Sequence, residues 1–264
     1  MNKIWILTCF IFLRNSAFSQ IDTLVDVGNL KLNFQIVKGN GGVILFESGA
    51  GNDGTIWDTL LMPLLNATHA TLITYDRAGF GKSTIDTTRT QIRDGILDLE
   101  TGLDKLGYNG GLMVVAHSYG AFYARMLSAK QPKLIKSVIL IDGNHVNFYT
   151  HDFITREILP ITKEIEKVKK ENLGIYYLYR NFPRTVSTMR GVEFPKNTPV
   201  MDIVSEKTPF HGIDSLRWRA VHREFVASSS LHRCVIANNG HYVFLENTKL
   251  IINTIVNEYY RLKE

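Results

Sequence analysis

The sequence predicts an α/β protein: a mostly parallel sheet flanked by helices, with a helical segment inserted into it. Three observations carry that expectation. Short apolar runs recur along the chain and stop at glycine, serine or aspartate. Helical patterns follow some of them. One long stretch, about residues 147–199, breaks the rhythm with helical charges and an aromatic cluster. Continuous apolar runs are what strands buried on both faces look like, and helices must then cover those faces. With 264 residues, 45% hydrophobic and 21% charged, the chain can bury one large core and is not a disordered chain.

Taken in order, the first segment stands apart from the domain. Lys3 precedes a ten-residue apolar run, Ile4 to Leu13, and Ala17-Phe18-Ser19 places small residues where a signal peptidase reads. This pattern predicts a signal peptide over residues 1–19, a mature chain of residues 20–264, and a secreted or periplasmic protein with no stable membrane insertion after cleavage. Of two cysteines, Cys9 and Cys234, only Cys234 then remains, which excludes a disulfide scaffold and a cysteine-based zinc site. The net charge of +5 drops to +3 without Lys3 and Arg14, and no basic stripe alternates with aromatics. No nucleic-acid partner is expected.

The strands follow. Leu30 to Ile36 alternates with period two, as a half-exposed edge strand does. Val43 to Phe46 runs into Ser48-Gly49-Ala50-Gly51, and Ala70 to Tyr75 stops at Asp76. Leu112 to Ala116 and Ser137 to Ile141 are two further buried runs, the second ending at Asp142. Between them, Ala121 to Lys130 reads as a helix stopped by Gln131-Pro132. Ile251, Ile252, Ile255, Val256 and Tyr259 form an apolar stripe at helical spacing.

The sharpest motif is Ala116-His117-Ser118-Tyr119-Gly120, a serine at a strand-to-helix turn with small residues two positions to either side. Such a turn exposes the hydroxyl and aims the N–H groups of the following helix at the same spot. A serine hydroxyl needs a base to act as a nucleophile at neutral pH, and histidine has the pKa for that task. Among eight histidines His241 is favoured: it follows Asn239-Gly240 in a loop after a strand, downstream of the serine. His117 neighbours Ser118, but adjacent side chains on a turn diverge, so it reads as packing.

Four segments in order resemble the α/β-hydrolase superfamily, of the capped serine esterase and lipase kind: Glu47 to Gly51 with Trp57, Tyr75 to Ser83, the serine turn, and Asn239 to Tyr242 with Glu246 and a final helix. The resemblance covers nearly all of the mature chain. It implies a Ser–His–acid triad with Ser118 as nucleophile and His241 as base, and an oxyanion hole from the N–H groups of Ala50 and Tyr119. Ser48 stands where relatives commonly carry a histidine. The family's usual acid position, after the strand Pro199 to Val204, here holds threonine in Ser205-Glu206-Lys207-Thr208. Asp142, at the carboxyl end of a parallel strand, is therefore the expected acid, Glu206 the alternative, and Asp214 a further candidate.

Other readings fail on spacing. Gly81-Lys82-Ser83 lacks the glycine five positions earlier that a phosphate loop needs, since Asp76 stands there; Asp76 and Arg77 are expected to brace that turn. No helical zinc motif occurs, so neither metal nor organic cofactor is expected. Tyr176, Tyr177, Tyr179 and Phe182 are available either to line a pocket or to pack the inserted segment. The expected function is hydrolysis of a carboxylic ester, with a small acyl compound as substrate. The alternatives are amide, peptide or carbon–carbon hydrolysis or acyl transfer on the same triad, and an inactive binding module.

Overall fold

The computed structural model describes residues 20–261; the expected leader, residues 1–19, lies outside the described residues. Eight strands form one sheet in the order β1-β2-β4-β3-β5-β6-β7-β8. They are β1 (Gln20–Asp26), β2 (Lys31–Val37), β3 (Val43–Glu47), β4 (Thr71–Tyr75), β5 (Leu112–His117), β6 (Ile135–Ile141), β7 (Val200–Ser205) and β8 (His232–Ala237). β1 with β2 and β2 with β4 pair antiparallel; every pair from β4 across to β8 is parallel.

The alternation of side chains on the central strands explains the continuous apolar runs. Leu45, Val114, Ala116, Val138 and Leu140 pack on one face of the sheet. Ile44, Phe46, Val115, Ile139 and Ile141 pack on the other. Both faces are covered, so most positions on these strands are apolar. α1 (Asp58–Thr68) covers the second face. α2 (Ile92–Lys105) and α3 (Gly120–Lys130) cover the first. Between β6 and β7 the chain forms α4 (His151–Phe153), a wide π turn over Ile154–Ile158, α5 (Leu159–Glu164) and α6 (Leu173–Met189). α7 (Gly212–Ala227), α8 (Val243–Glu246) and α9 (Thr248–Arg261) complete the chain.

One sequence expectation is corrected. The strand read as a half-exposed edge is β2, which lies second from the edge and is buried at every position except Lys31. β1 covers its outer side in an unbroken register from Gln20 opposite Val37 to Asp26 opposite Lys31. The polar members of the alternation are satisfied internally: Asn33 donates through Nδ2 to Asp76 Oδ2 at 3.3 Å, and its N–H donates to Ser83 Oγ at 2.8 Å. Alternation reported one polar face, and that face is buried under other polar groups.

From β3 the chain moves to β4 on one side, then returns across β3 to β5 on the other. This reversal opens a crevice at the carboxyl ends of β3 and β5, where open α/β sheets place ligands. Glu47 ends β3 fully buried beside that crevice. Tyr75 Oη donates to its carboxylate at 2.9 and 3.0 Å, and Arg77 Nη1 lies 3.9 Å away. Burial pushes the Glu47 carboxyl up to about 8, against the pull of Arg77 and Tyr75. The folded state thus holds a proton that the unfolded chain has released above its ordinary value of 4.5. The associated stability is full below that value and is lost as pH rises through about 8. The Tm difference between wild type and Glu47→Gln, followed by calorimetry, should therefore move in favour of the variant from pH 5 to pH 8.

Candidate active site

The turn after β5 is built as the sequence predicts. Ser118 has φ +50°, in the left-handed region, and α3 begins two residues later. The Ser118 N–H donates to Ile141 O at 3.2 Å, while Ser118 O accepts from Ala121 N and Asn144 N, each at 3.0 Å. The strained residue is thus anchored on both sides. Gly120 is required by close approach: a Cβ there would lie 2.4 Å from Glu47 O and 2.8 Å from Ser48 O.

Asp142 follows β6, also in the left-handed region at φ +45° and fully buried, with its N–H donating to Ile203 O at 2.7 Å. Its Oδ2 pairs with His241 Nδ1 at 2.6 Å and accepts from Ser205 Oγ at 2.8 Å. Its Oδ1 accepts from Ser205 N at 3.0 Å and from Trp218 Nε1 at 3.1 Å. Burial alone would raise this carboxyl. The bond and charge of His241, the charge of His222 and the Ser205 N–H outweigh burial and hold it below its usual range. An ionised Asp142 fixes the His241 tautomer with the proton on Nδ1, leaving Nε2 as the basic nitrogen.

The His241 loop is held at two further points. Gly240 N–H donates to Glu246 Oε2 at 2.7 Å. His117 Nε2 lies 3.1 Å from His241 O, with the two rings 4.6 Å apart. Burial and the neighbouring His241 push His117 down to about 3, so it is neutral and donates through Nε2 to that carbonyl. The sequence reading of His117 as packing is incomplete: it ties the strand before Ser118 to the loop of His241.

The loop after β3 is fixed by the turn after β4. Arg77 donates through Nη1 to Ser48 O at 2.6 Å and through Nη2 to Gly49 O at 2.5 Å. Ser48 Oγ donates to Asp53 O at 2.9 Å and accepts from Trp57 Nε1 at 3.1 Å. Asp76 accepts from Gly54 N and Lys82 N at 2.9 and 2.8 Å. Neither Ala50 N–H nor Tyr119 N–H has a hydrogen-bond acceptor among the described residues.

Ser118, His241 and Ala50 line one cavity of about 470 Å³. Its remaining wall carries six aromatic residues, Tyr149, Phe153, Tyr179, Phe182, Phe210 and Trp218, beside aliphatic side chains and the charged Arg156, Glu157 and Asp214. Tyr176 is instead buried, donating to Glu166 Oε1 at 2.7 Å, and Tyr177 lines a separate cavity. Glu206, the alternative acid, is exposed and lines two other cavities, neither of which contains His241. Its chain position after β7 suits the role, but Ser205 just before it turns its hydroxyl and N–H onto Asp142 instead. Asp214 does line the Ser118 cavity, but its oxygens are taken by Arg156 at 2.6 Å and Arg217 at 3.0 Å.

Ser205 and Trp218 are the contributors that sequence reading missed. Nothing local marks a serine ending a strand or a tryptophan in a helix as a donor to a carboxylate 63 or 76 residues away.

Known proteins place this architecture. A family model described as the alpha/beta hydrolase fold matches residues 42–164. A 2-(acetamidomethylene)succinate hydrolase from Mesorhizobium japonicum is 32% identical over 171 residues, which are 64% of this chain and 60% of that relative. The chain thus spans less than two thirds of that relative's length. The crystal structure of an E-2-(acetamidomethylene)succinate hydrolase superposes with a TM-score of 0.66 at 19% identity, covering 90% of this chain and 98% of that one. An esterase from Exiguobacterium antarcticum gives 0.69 at 13% identity, covering 91% and 100%. The protein has the α/β-hydrolase fold.

Proposed function

We propose that the protein is a serine hydrolase that cleaves a carboxylic ester through an acyl-enzyme on Ser118. The observation that carries this reading is the 2.6 Å contact from Asp142 to His241 Nδ1, with His241 and Ser118 in the wall of one cavity. His241 Nε2 takes the serine proton as Oγ attacks the acyl carbon. The N–H groups of Ala50 and Tyr119 stabilise the oxyanion, and the imidazolium returns its proton to the leaving alcohol. Water, activated by the same nitrogen, then releases the acid.

The aromatic wall favours an uncharged, apolar acyl or alcohol group. The one arginine in that wall, Arg156, is already engaged by Asp214 at 2.6 Å and by Glu157. A substrate carboxylate would have to displace those partners. A second reading, amide hydrolysis, is favoured by the name of the Mesorhizobium relative, whose substrate carries an acetamido group. The two differ in the leaving group alone.

Labelling by a fluorophosphonate, followed by a panel of neutral aryl esters and matched anilides, tests the reading. Labelling with ester turnover well above anilide turnover is expected. Anilide turnover equal to ester turnover would move the amide reading to the front, and a folded protein that neither labels nor turns over would leave a binding module. Within this scheme His117 is a positioning residue. His117→Phe should lower kcat on esters by about tenfold, the cost of one buried hydrogen bond, with KM little changed. Steady-state kinetics at matched pH checks that split.

A further inference from the structure

Behind Asp142, adjoining Trp218, three further buried side chains converge from three elements. His145 lies in the turn after β6, Asp202 in the middle of β7, and His222 in α7, with exposures of 3%, 0% and 1%. His222 Nδ1 is 2.7 Å from Asp202 Oδ2, and His145 Nε2 is 3.4 Å from the same oxygen. The two imidazole rings stand perpendicular, at 85°, with centroids 4.4 Å apart.

A simple His–Asp pair does not account for this cluster. His145 Nε2, Asp202 Oδ1 and His222 Nε2 are all out of solvent without a hydrogen-bond partner. Leaving three buried polar atoms unpaired in one place is costly, and folded proteins rarely do it. Two imidazoles converging on one carboxylate oxygen fit a shared acceptor, but the atoms left unpartnered around it fit a coordination shell better. Ligand atoms about 2.0–2.1 Å from a tetrahedral ion lie about 3.3 Å from one another, which is close to the His145–Asp202 separation. One ligand atom from each residue lies within 4.8 Å of the others. A modest turn of the His222 ring would open its shorter contact.

We propose that His145, Asp202 and His222 form a binding site for a divalent transition-metal ion of the zinc type. Two imidazoles and one carboxylate are a zinc-like donor set, too poor in oxygen for calcium or magnesium. A cavity of about 170 Å³, lined by Ser205, Glu206, Cys234, Arg219 and Arg223, reaches His222, and on this proposal it would admit the ion and a water as fourth ligand. The buried Arg125 acts electrostatically on Asp202. One carboxylate must therefore balance both cations, which sets a micromolar affinity rather than that of a thiolate site. The sequence expectation of no metal rested on local ligand spacing, and residues at 145, 202 and 222 have none.

The ion would clamp the turn after β6, β7 and α7, the elements that carry Asp142, Ser205 and Trp218. Its role is structural, and the site stands whether or not Ser118 is a nucleophile.

The test uses tag-free mature protein stripped with chelator, then titrated with Zn²⁺ by calorimetry, with bound metal counted by mass spectrometry. One equivalent per chain is expected, with a Tm rise of about 5 °C at saturating Zn²⁺. Co²⁺ should give the visible bands of a tetrahedral site, bleached by Zn²⁺. His145→Asn and His222→Asn should abolish stoichiometric binding, whereas the surface control His151→Asn should retain it. Failure of wild type to bind Zn²⁺ at micromolar concentration, or to show tetrahedral Co²⁺ bands, would overturn the proposal in favour of a buried ion pair with trapped water. Binding that survives in folded His145→Asn and His222→Asn would overturn it as well. If those variants do not fold, the wild-type Co²⁺ spectrum and stoichiometry decide alone.

Discussion

Ser118→Ala should lower ester turnover by about 10⁴-fold or more and abolish fluorophosphonate labelling, while leaving the Tm unchanged or slightly higher. The two halves of this expectation have different origins. Activity falls because the other hydroxyl of the turn between β5 and α3, that of Tyr119, is buried and engaged by Thr185. Stability is kept because the backbone at φ +50° is held by the Ser118 N–H and carbonyl bonds to Ile141, Ala121 and Asn144, which alanine retains. Alanine and serine also share the same Cβ strain in the left-handed region. Progress curves on a neutral aryl ester, paired with thermal melts, check both halves. A variant retaining a tenth of wild-type kcat would remove Ser118 from the nucleophile's role.

The second large effect is expected at the acid. Asp142→Asn should lower kcat by about 10⁴-fold and also lower the Tm, whereas Glu206→Gln should change either by little. An amide cannot accept from all the donors that converge on this carboxylate. Ser205 N, Ser205 Oγ, Trp218 Nε1 and His241 Nδ1 all point at it, and asparagine would set an N–H₂ group against two of them. The imidazole would then favour the tautomer with its proton on the wrong nitrogen. The pH dependence has a definite sign. Because the folded-state carboxyl is held below its usual 3.8, its stabilising contribution is present above that value and is lost as pH falls through the lower, folded one. Acid melts of wild type and Asp142→Asn should therefore converge at low pH. Equal activity of Asp142→Asn and Glu206→Gln would remove Asp142 from the triad reading.

How far the sequence discloses this arrangement depends on the range of the forces involved. β3 to β6 are readable because burial on both faces leaves mostly apolar residues, and the serine turn is readable because close backbone approach restricts Gly120. Ser118, Asp142 and His241 each end or follow an element whose pattern is local, so their positions can be inferred one at a time. β1 and the burial of β2 are not readable, since both depend on pairing and on Asp76 and Ser83 half a domain away. α7 hides for a related reason: Ile213 and Leu216 are exposed while His222 and Asp214 are buried, which inverts the amphipathic pattern. The donors to Asp142 and the His145–Asp202–His222 cluster consist wholly of contacts between elements distant in the chain.

The split of the site between β5, β6 and the late loop of His241 has a consequence in time. Ser118 and Asp142 directly follow adjacent strands that share a hydrogen-bonded ladder, so both are in place once β5 and β6 have paired. His241 arrives 99 residues after Asp142, beyond α6, β7, α7 and β8. Under the mechanism proposed above, the nascent chain would expose Ser118 without its proton acceptor until nearly the whole sheet had emerged. Hydrolysis would then begin only at completion of the fold, making catalytic competence a reporter of how much of the polypeptide has been assembled.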